Sequence, residues 1–265
     1  MVEMEIAMQA EHEKFEETAI IIRQEEIADD IYSMWLHTEE IAAHAKAGQF
    51  INVYCNEGSR LLPRPISICE IDKKDGAVRI VYRVAGKGTE EFSHMRTGMQ
   101  LKIVGPLGNG FPQKSRSAFL IGGGIGIPPM LQLAKELDCE KQIILGYRDQ
   151  LFLLEEFRKQ GKVYIATEDG SAGTEGNVLD AIRENGLSAD IIYACGPAPM
   201  LRALKAYAAK NNIECWISME ERMACGIGAC LACVCNSKEK DAHSNVKNKR
   251  VCKEGPVFRA EEVEF

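Results

Sequence analysis

Three cysteines crowd one short stretch of this chain. Cys225, Cys230 and Cys233 stand in Glu220-Glu221-Arg222-Met223-Ala224-Cys225-Gly226-Ile227-Gly228-Ala229-Cys230-Leu231-Ala232-Cys233, and Cys252 follows further on. A Cys-x4-Cys-x2-Cys run with a distant fourth cysteine is the arrangement of a [2Fe–2S] site, in which thiolates on one loop converge on two irons. The loop's amide N–H groups must also turn toward the sulfurs, and Gly226 and Gly228 permit this because a residue without Cβ takes positive φ freely. A zinc site expects Cys-x2-Cys pairs repeated at a distance and fits the four-residue step poorly. Cys235 is the alternative fourth ligand, but so close to Cys233 it would crowd one edge of the cluster. Cys252 is favoured and Cys235 is read as a bystander. The pattern makes the chain an electron carrier or a redox enzyme.

The 265 residues are 46% hydrophobic and 27% charged, enough for two domains with real cores and a small third unit around the cysteines. A net charge of −7 with no long basic run argues against nucleic acid or an anionic membrane as partner. Met1 to Lys14 is polar and charged without the apolar stretch of a signal peptide, so a reducing cytoplasm is expected. Cys55, Cys69, Cys139, Cys215 and Cys235 are then reduced and structural. The longest uncharged stretch, Ser117 to Ala134, is interrupted by glycines and prolines and is no membrane span.

In that stretch the apolar run Ser117-Ala118-Phe119-Leu120-Ile121 meets Gly122-Gly123-Gly124-Ile125-Gly126-Ile127-Pro128-Pro129-Met130, and a helical pattern continues through Leu131, Leu133 and Leu137. Strand, glycine turn and helix in succession form a place where backbone can approach a pyrophosphate. Read alone it can also be a plain tight strand-to-helix turn. The context strengthens the ligand reading, because Gln142 to Gly146, Lys162 to Ala166 and Asp190 to Ala194 are further strand candidates between helix-like segments. Repeated βα units predict a doubly wound parallel sheet whose ligand crevice lies at the strand C-terminal ends. Two other strand ends carry ligand-like residues, Thr167-Glu168-Asp169-Gly170-Ser171 and Cys195-Gly196-Pro197-Ala198-Pro199-Met200. Cys195 is read as a thiol lining a nicotinamide pocket, while Asp169 is either a ligand or a turn residue.

From about Phe15 to Phe111 short alternating runs such as Ile31 to Leu36, Phe50 to Tyr54 and Val78 to Arg83 are punctuated by glycine turns, which predicts an antiparallel β-barrel. Within it lie Arg64-Pro65-Ile66-Ser67 and Tyr82-Arg83-Val84-Ala85-Gly86-Lys87-Gly88-Thr89. An arginine can clamp a phosphate, a serine can bond a flavin ring, and Gly88-Thr89 can open a short helix at a pyrophosphate. Taken singly, Arg64 reads as a surface charge and Gly86 to Gly88 as a hairpin loop.

The order barrel, Arg-Pro-x-Ser, Gly-Thr, Gly-Gly-Gly-x-Gly-x-Pro-Pro, Cys-Gly-Pro-x-Pro-Met resembles the ferredoxin–NADP reductase superfamily. The cysteine loop, together with Val251-Cys252-Lys253-Glu254-Gly255-Pro256-Val257-Phe258, narrows the likeness to the electron-transfer subunits of class 1B dihydroorotate dehydrogenases, the PyrK family. The resemblance covers residues 15 to 265. It implies FAD on the barrel, NAD on the second domain, and a cluster held by Cys225, Cys230, Cys233 and Cys252. It implies FAD contacts for Arg64, Pro65, Ile66, Ser67, Val81, Tyr82, Arg83, Gly88 and Thr89. The nicotinamide dinucleotide is assigned to Gly122, Gly123, Gly124, Gly126, Asp169, Cys195 and Gly196. The resemblance further implies an FMN-containing dihydroorotate dehydrogenase catalytic subunit as partner, in a heterotetramer of two of each, and no residue of this chain as a proton-transfer catalyst.

The expected division is an extension at 1–14, an FAD barrel at 15–112, an NAD domain at 113–218 and a [2Fe–2S] domain at 219–265. Against the family pattern, the Met1 to Lys14 extension has no role, and the connection through Asn236-Ser237-Lys238-Glu239-Lys240-Asp241 reads as a long charged loop. Arg148 and Asp149, after the second strand of the dinucleotide domain, pull in opposite directions on NAD against NADP. The competing readings are a related flavin and iron–sulfur subunit serving a hydrogenase, a sulfide dehydrogenase or a ferredoxin:NADP transhydrogenase, and a non-catalytic redox sensor.

Overall fold

The computed structural model describes residues 13–240 and 245–265, so most of the Met1 to Lys14 extension and Asp241 lie outside the described residues. Six strands close into an antiparallel barrel in the order β1-β2-β5-β4-β3-β6. They are β1 (Phe15–Ala28), β2 (Ile31–His37), β3 (Phe50–Val53), β4 (Arg64–Asp72), β5 (Ala77–Arg83) and β6 (Gln100–Leu107). Alternation builds the inside: Met34 and Leu36, Val78 and Ile80, and Leu101 and Ile103 point to one apolar core with Ile21, Ile51 and Ile68. The intervening positions of β5 face out, yet Arg79 and Val81 are buried as well, because a second domain covers that wall. Two short helices, α1 (Glu39–His44) and α2 (Lys87–Ser93), fill barrel connections.

The second sheet runs β10-β9-β8-β7-β11-β12-β15. Its strands β7 (Ala118–Gly123), β8 (Lys141–Tyr147), β9 (Lys162–Thr167), β10 (Thr174–Glu175), β11 (Ile191–Cys195) and β12 (Glu214–Ser218) are parallel. Helices α3 (Pro129–Glu136), α4 (Leu154–Arg158), α5 (Val178–Glu184) and α6 (Ala198–Asn211) supply the crossovers. Covered on both faces, the central strands are continuous apolar runs, which is why Phe119 to Ile121 and Ile191 to Ala194 lack alternation. Pro128 and Pro129 sit at the start of α3, where a missing N–H costs no helical bond. Among the described residues, no helix is long and apolar enough to cross a membrane.

The cysteine segment folds around a small sheet of β13 (Val234–Ser237), β14 (Asn248–Arg250) and β16 (Val263–Glu264), and it sends β15 (Val257–Arg259) back to pair antiparallel with β12. The connection read as a charged loop therefore begins as a strand, since Asn236 and Ser237 belong to β13. Ser237 is buried there, which the run of polar residue types concealed.

Helix α3, which follows the glycine turn, packs against β4, which begins with the Arg64 motif. Lys135 of α3 pairs with Glu70 of β4, and Gln132 Oε1 accepts the Ile71 N–H at 2.8 Å. Arg79 of β5 completes the network: its Nη1 lies 2.5 Å from Glu70 Oε2 and 3.5 Å from Glu156 Oε1 of α4, and its Nε donates to Ser33 Oγ at 2.8 Å.

Candidate functional site

The barrel's ligand face is assembled at the mouth of β4 and the start of α2. Arg64 is half-buried, and its guanidinium lies where a side chain on Gly88 would be, so Gly88 admits the cation to the first turn of the helix. Thr89 closes that turn: its Oγ1 accepts from Ala85 N at 2.9 Å and donates to Gly86 O at 3.0 Å. Thr89 thus caps the helix with its hydroxyl while the N–H groups of the turn stand beside Arg64, a pairing suited to a diphosphate. Ser67 is half-buried, Ile66 and Val81 are buried, and Pro65 and Arg83 are exposed. Tyr82 stacks on Tyr32 with ring centroids 5.9 Å apart. Its buried hydroxyl has no hydrogen-bond partner among the described residues. A cation seated over a glycine and an unpaired buried hydroxyl form a donor set that fits a flavin dinucleotide.

The glycine turn and the Cys195 strand end are one site. Cys195 lies opposite Gly122 in the β11–β7 register. A Cβ on Gly126 would stand 2.6 Å from the Cys195 carbonyl carbon and from Gly196 Cα, and one on Gly123 would stand 2.6 Å from Met200 Sδ. The motif glycines are therefore demanded by the close approach of these two loops. Gly124 differs: at φ +53° its Cβ would meet nothing within 4 Å, so this is where backbone opens onto the crevice. Burial pushes the Cys195 thiol up to about 12 although Ser218 bonds it, so it stands at the strand end as a neutral group.

Asp169 is not drawn into this cluster. It lies at the end of β9, two strands from β7, exposed, with its carboxylate accepting from Ser171 N at 3.0 Å and Ser171 Oγ at 2.7 Å. Those bonds hold its pKa below the usual carboxylate value. The carboxylate closes its own turn and stands exposed at the strand end, an arrangement open to either reading. Arg148 and Asp149 are both exposed after β8.

The four cysteines meet as two pairs. Cys233 and Cys252 are buried with their sulfurs 3.1 Å apart, while the Cys230 thiol and N–H both approach the Cys225 sulfur near the surface. Among the described residues no three His, Cys, Asp or Glu side chains close around a single ion. Two sulfur pairs suit two irons, each needing two thiolates, better than the single tetrahedral centre of zinc.

Backbone N–H groups serve the sulfurs. Ala229 N lies 3.3 Å and Ile227 N 3.5 Å from Cys225 Sγ, and Gly228 N lies 3.1 Å from Cys252 Sγ. Burial works against the Cys225 thiolate, but the N–H groups of Ile227, Cys230 and Ala229 outweigh it and bring the thiol down to about 6. Cys252, deeper and beside Cys233, is pushed up to about 12. Gly226 and Gly228 take φ of +69° and +87°, as the turning of the loop requires. Cys235 lies buried on β13 opposite Lys249, outside both sulfur pairs.

Residues without a sequence signature brace this segment and fix it to the barrel. Arg250 donates from Nη1 to Gly228 O at 3.0 Å and from Nε to Glu254 Oε1 at 3.0 Å, so it holds the peptide unit whose N–H, that of Ala229, faces Cys225 Sγ. Asn109 donates to Val257 O at 2.7 Å and Glu254 O at 3.1 Å and accepts from Val257 N at 2.9 Å. Asn52 of β3 donates to Cys225 O at 3.1 Å. An asparagine in a barrel sequence gives no hint of such bonds.

Comparison with known proteins places the chain. The model of the iron–sulfur cluster binding domain of dihydroorotate dehydrogenase B matches residues 220–264, and that of the oxidoreductase FAD-binding domain matches residues 18–111. The dihydroorotate dehydrogenase B (NAD+) electron transfer subunit of Fusobacterium nucleatum is 42% identical over 254 residues, 91% of this chain and 95% of that protein. Its counterpart in Bacillus pumilus is 44% identical over 253 residues, 92% and 96%. The chain belongs to this family of electron transfer subunits. The family's cluster-binding model spans Cys225, Cys230, Cys233 and Cys252, and the flavin model spans Arg64 to Thr89.

A solved NADH-dependent reduced ferredoxin-NADP oxidoreductase, described for flavin-based electron bifurcation, superposes with a TM-score of 0.84 at 29% identity, covering 94% of this chain and 90% of its own. Phthalate dioxygenase reductase shares the fold with a TM-score of 0.60 at 18% identity, covering 89% and 94%. The chain is thus an oxidoreductase subunit with FAD and iron–sulfur domains, and the barrel plus doubly wound sheet expected from the sequence is the fold it adopts.

Proposed function

We propose that this chain is the electron-transfer subunit of an NAD-dependent dihydroorotate dehydrogenase of pyrimidine biosynthesis, working in the cytoplasm in a heterotetramer with two FMN-containing catalytic subunits. When bound, the [2Fe–2S] cluster supplies one-electron transfer from the partner, and FAD supplies conversion of single electrons to a hydride for NAD+. The observation that carries the reading is the seating of the cysteine segment directly on the flavin barrel, together with about 42% identity to subunits of that name. The division at residues 112 and 218 organises it into flavin, dinucleotide and cluster units.

The chain's residues bind and orient. Arg64 and the first turn of α2 hold the diphosphate of FAD, with Pro65, Ile66, Ser67, Val81, Tyr82, Arg83, Gly88 and Thr89 around it. Gly122, Gly123, Gly124 and Gly126 let the NAD diphosphate approach backbone. Cys195 and Gly196 line the nicotinamide, where a thiol kept neutral puts no negative charge beside the hydride. Cys225, Cys230, Cys233 and Cys252 hold the cluster, one pair buried and one nearer the surface.

The test is anaerobic affinity purification from native cells and assay of the eluate for dihydroorotate-dependent NAD+ reduction. Activity with an FMN protein present supports the reading. A different flavoprotein and no dihydroorotate activity would reassign the substrate, toward the oxidoreductase represented by the bifurcating relative at 29% identity.

A further inference from the structure

Strand β3 carries Phe50, Ile51 and Val53 as apolar neighbours of one fully buried polar residue, Asn52. Asn52 stands opposite Pro65 of the Arg64 motif in the β3–β4 register and opposite Val104 in the β3–β6 register. Its Nδ2 donates to the Cys225 carbonyl at 3.1 Å. The orientation of the amide follows from the contact itself, since exchanging its nitrogen and oxygen would face two oxygens at that distance. On the other side, Gly226 lies so close that any side chain there would fall on Asn52 Nδ2, and its φ of +69° holds the loop against the amide.

The Oδ1 atom of Asn52 is buried without a partner among the described residues. A buried amide whose oxygen is left unpaired is costlier than a leucine in the same place, so its presence calls for a role that the single bond performs. The bond joins the strand beside the flavin motif to the peptide of the first cluster cysteine. It acts on the surface-facing pair, because Cys225 and Cys230 sit on a loop whose Ile227 and Leu231 are exposed, whereas the chain after Cys252 is tied to the barrel by Asn109 at Glu254 and Val257.

We propose that Asn52 is a positioning residue for electron exchange between the cluster and the flavin: it carries the Cys225 peptide on the barrel strand next to Pro65 and so fixes how the outer half of the cluster faces the FAD. The proposal rests on the cofactor assignment above. A hydrogen bond to a ligand's own peptide orients the thiolate, and outer partners of this kind change metal-site behaviour by about ten- to a hundredfold when removed.

The test uses the complete FAD- and iron-loaded protein with Asn52→Asp, which keeps the shape and removes the donor, and Asn52→Ala, which removes the amide. Stopped-flow reduction by NADH is followed separately at the flavin and at the cluster, and the reduced cluster is recorded by EPR. In both variants, flavin reduction by NADH is expected to stay within about twofold of the parent, the flavin-to-cluster step to slow about tenfold or more, and the EPR g values to shift. Unchanged g values with an unchanged flavin-to-cluster step in both variants would overturn the proposal. Equal slowing of both steps would do the same, as would loss of iron from both variants, which would leave Asn52 a mere support of the loop. A parent protein whose cluster NADH does not reduce would instead sink the cofactor reading itself.

Discussion

Besides apolar packing at both junctions, the barrel meets the other two parts of the molecule through polar contacts of opposite kinds. Against the dinucleotide domain it uses buried charge: Glu70 between Arg79 and Lys135, with Glu156 beyond. Against the cysteine segment it uses neutral amides on backbone, Asn52 to the Cys225 carbonyl and Asn109 to Glu254 and Val257. A charged network is strong only while every member is present, since a buried ion without its partner is left desolvated. Amide bonds are weaker individually and add no net charge beside a site that changes charge whenever an electron arrives. The difference suggests that rigidity is set on the hydride side and electrical neutrality on the cluster side.

The sharpest way to break this comparison is Arg79→Leu. It removes one of the two cations that hold the Glu70 carboxylate, leaving it with Lys135 alone, and is expected to lower stability by about 3 kcal/mol in denaturant unfolding. A loss under about 1 kcal/mol would mean that charge is not what joins these domains. Next in size is Asn109→Ala, which leaves Val257 N–H and two carbonyls without partners and should cost about 1–3 kcal/mol, with iron released faster to a chelator. Iron release at the parent rate would separate Asn109 from the cluster.

Acid offers a smaller and more selective effect. Burial raises the Glu70 carboxyl, but Lys135 and Arg79 overcome this and hold its pKa below the usual value. A depressed carboxyl contributes stability that is fully present above the ordinary carboxylate range and is lost as pH falls through the lowered pKa. Acidification should therefore open the α3–β4 contact, seen as faster proteolysis there, while the asparagine contacts do not titrate. Equal loosening of both contacts would erase the distinction. The smallest change is expected from replacing both Glu70 and Arg79 with leucine and methionine, because removing the pair together strands neither charge. A double variant as unstable as Arg79→Leu alone would show that Lys135 and Glu156 depend on the pair.

Much of the site was legible because its chemistry restricts residue types at fixed spacing. Four sulfurs at ligand intervals, glycines where two loops touch, and Arg64 ahead of Gly88 are all local in sequence or in motif. The barrel was legible from period-two alternation, and the same alternation hid its outer contacts. In Val78-Arg79-Ile80, Arg79 reads as a residue facing water, and it does face away from the barrel core, but into the second domain. Asn52 and Asn109 were illegible for a related reason: an amide's partners are backbone atoms far along the chain, and backbone carries no residue-specific signal. At Asp169 the pattern at a strand end does not separate a turn acceptor from a ligand, since both want a short carboxylate with free lone pairs.

Strand β15 gives the cysteine segment a second duty. By pairing along β12 through Trp216, Ile217 and Ser218, it covers what would otherwise be the open border of the dinucleotide sheet. The redox module is therefore not a detachable ornament on a reductase. A version cut before residue 219 would expose a row of unbonded peptide groups beside apolar side chains and invite the sheets of separate molecules to join.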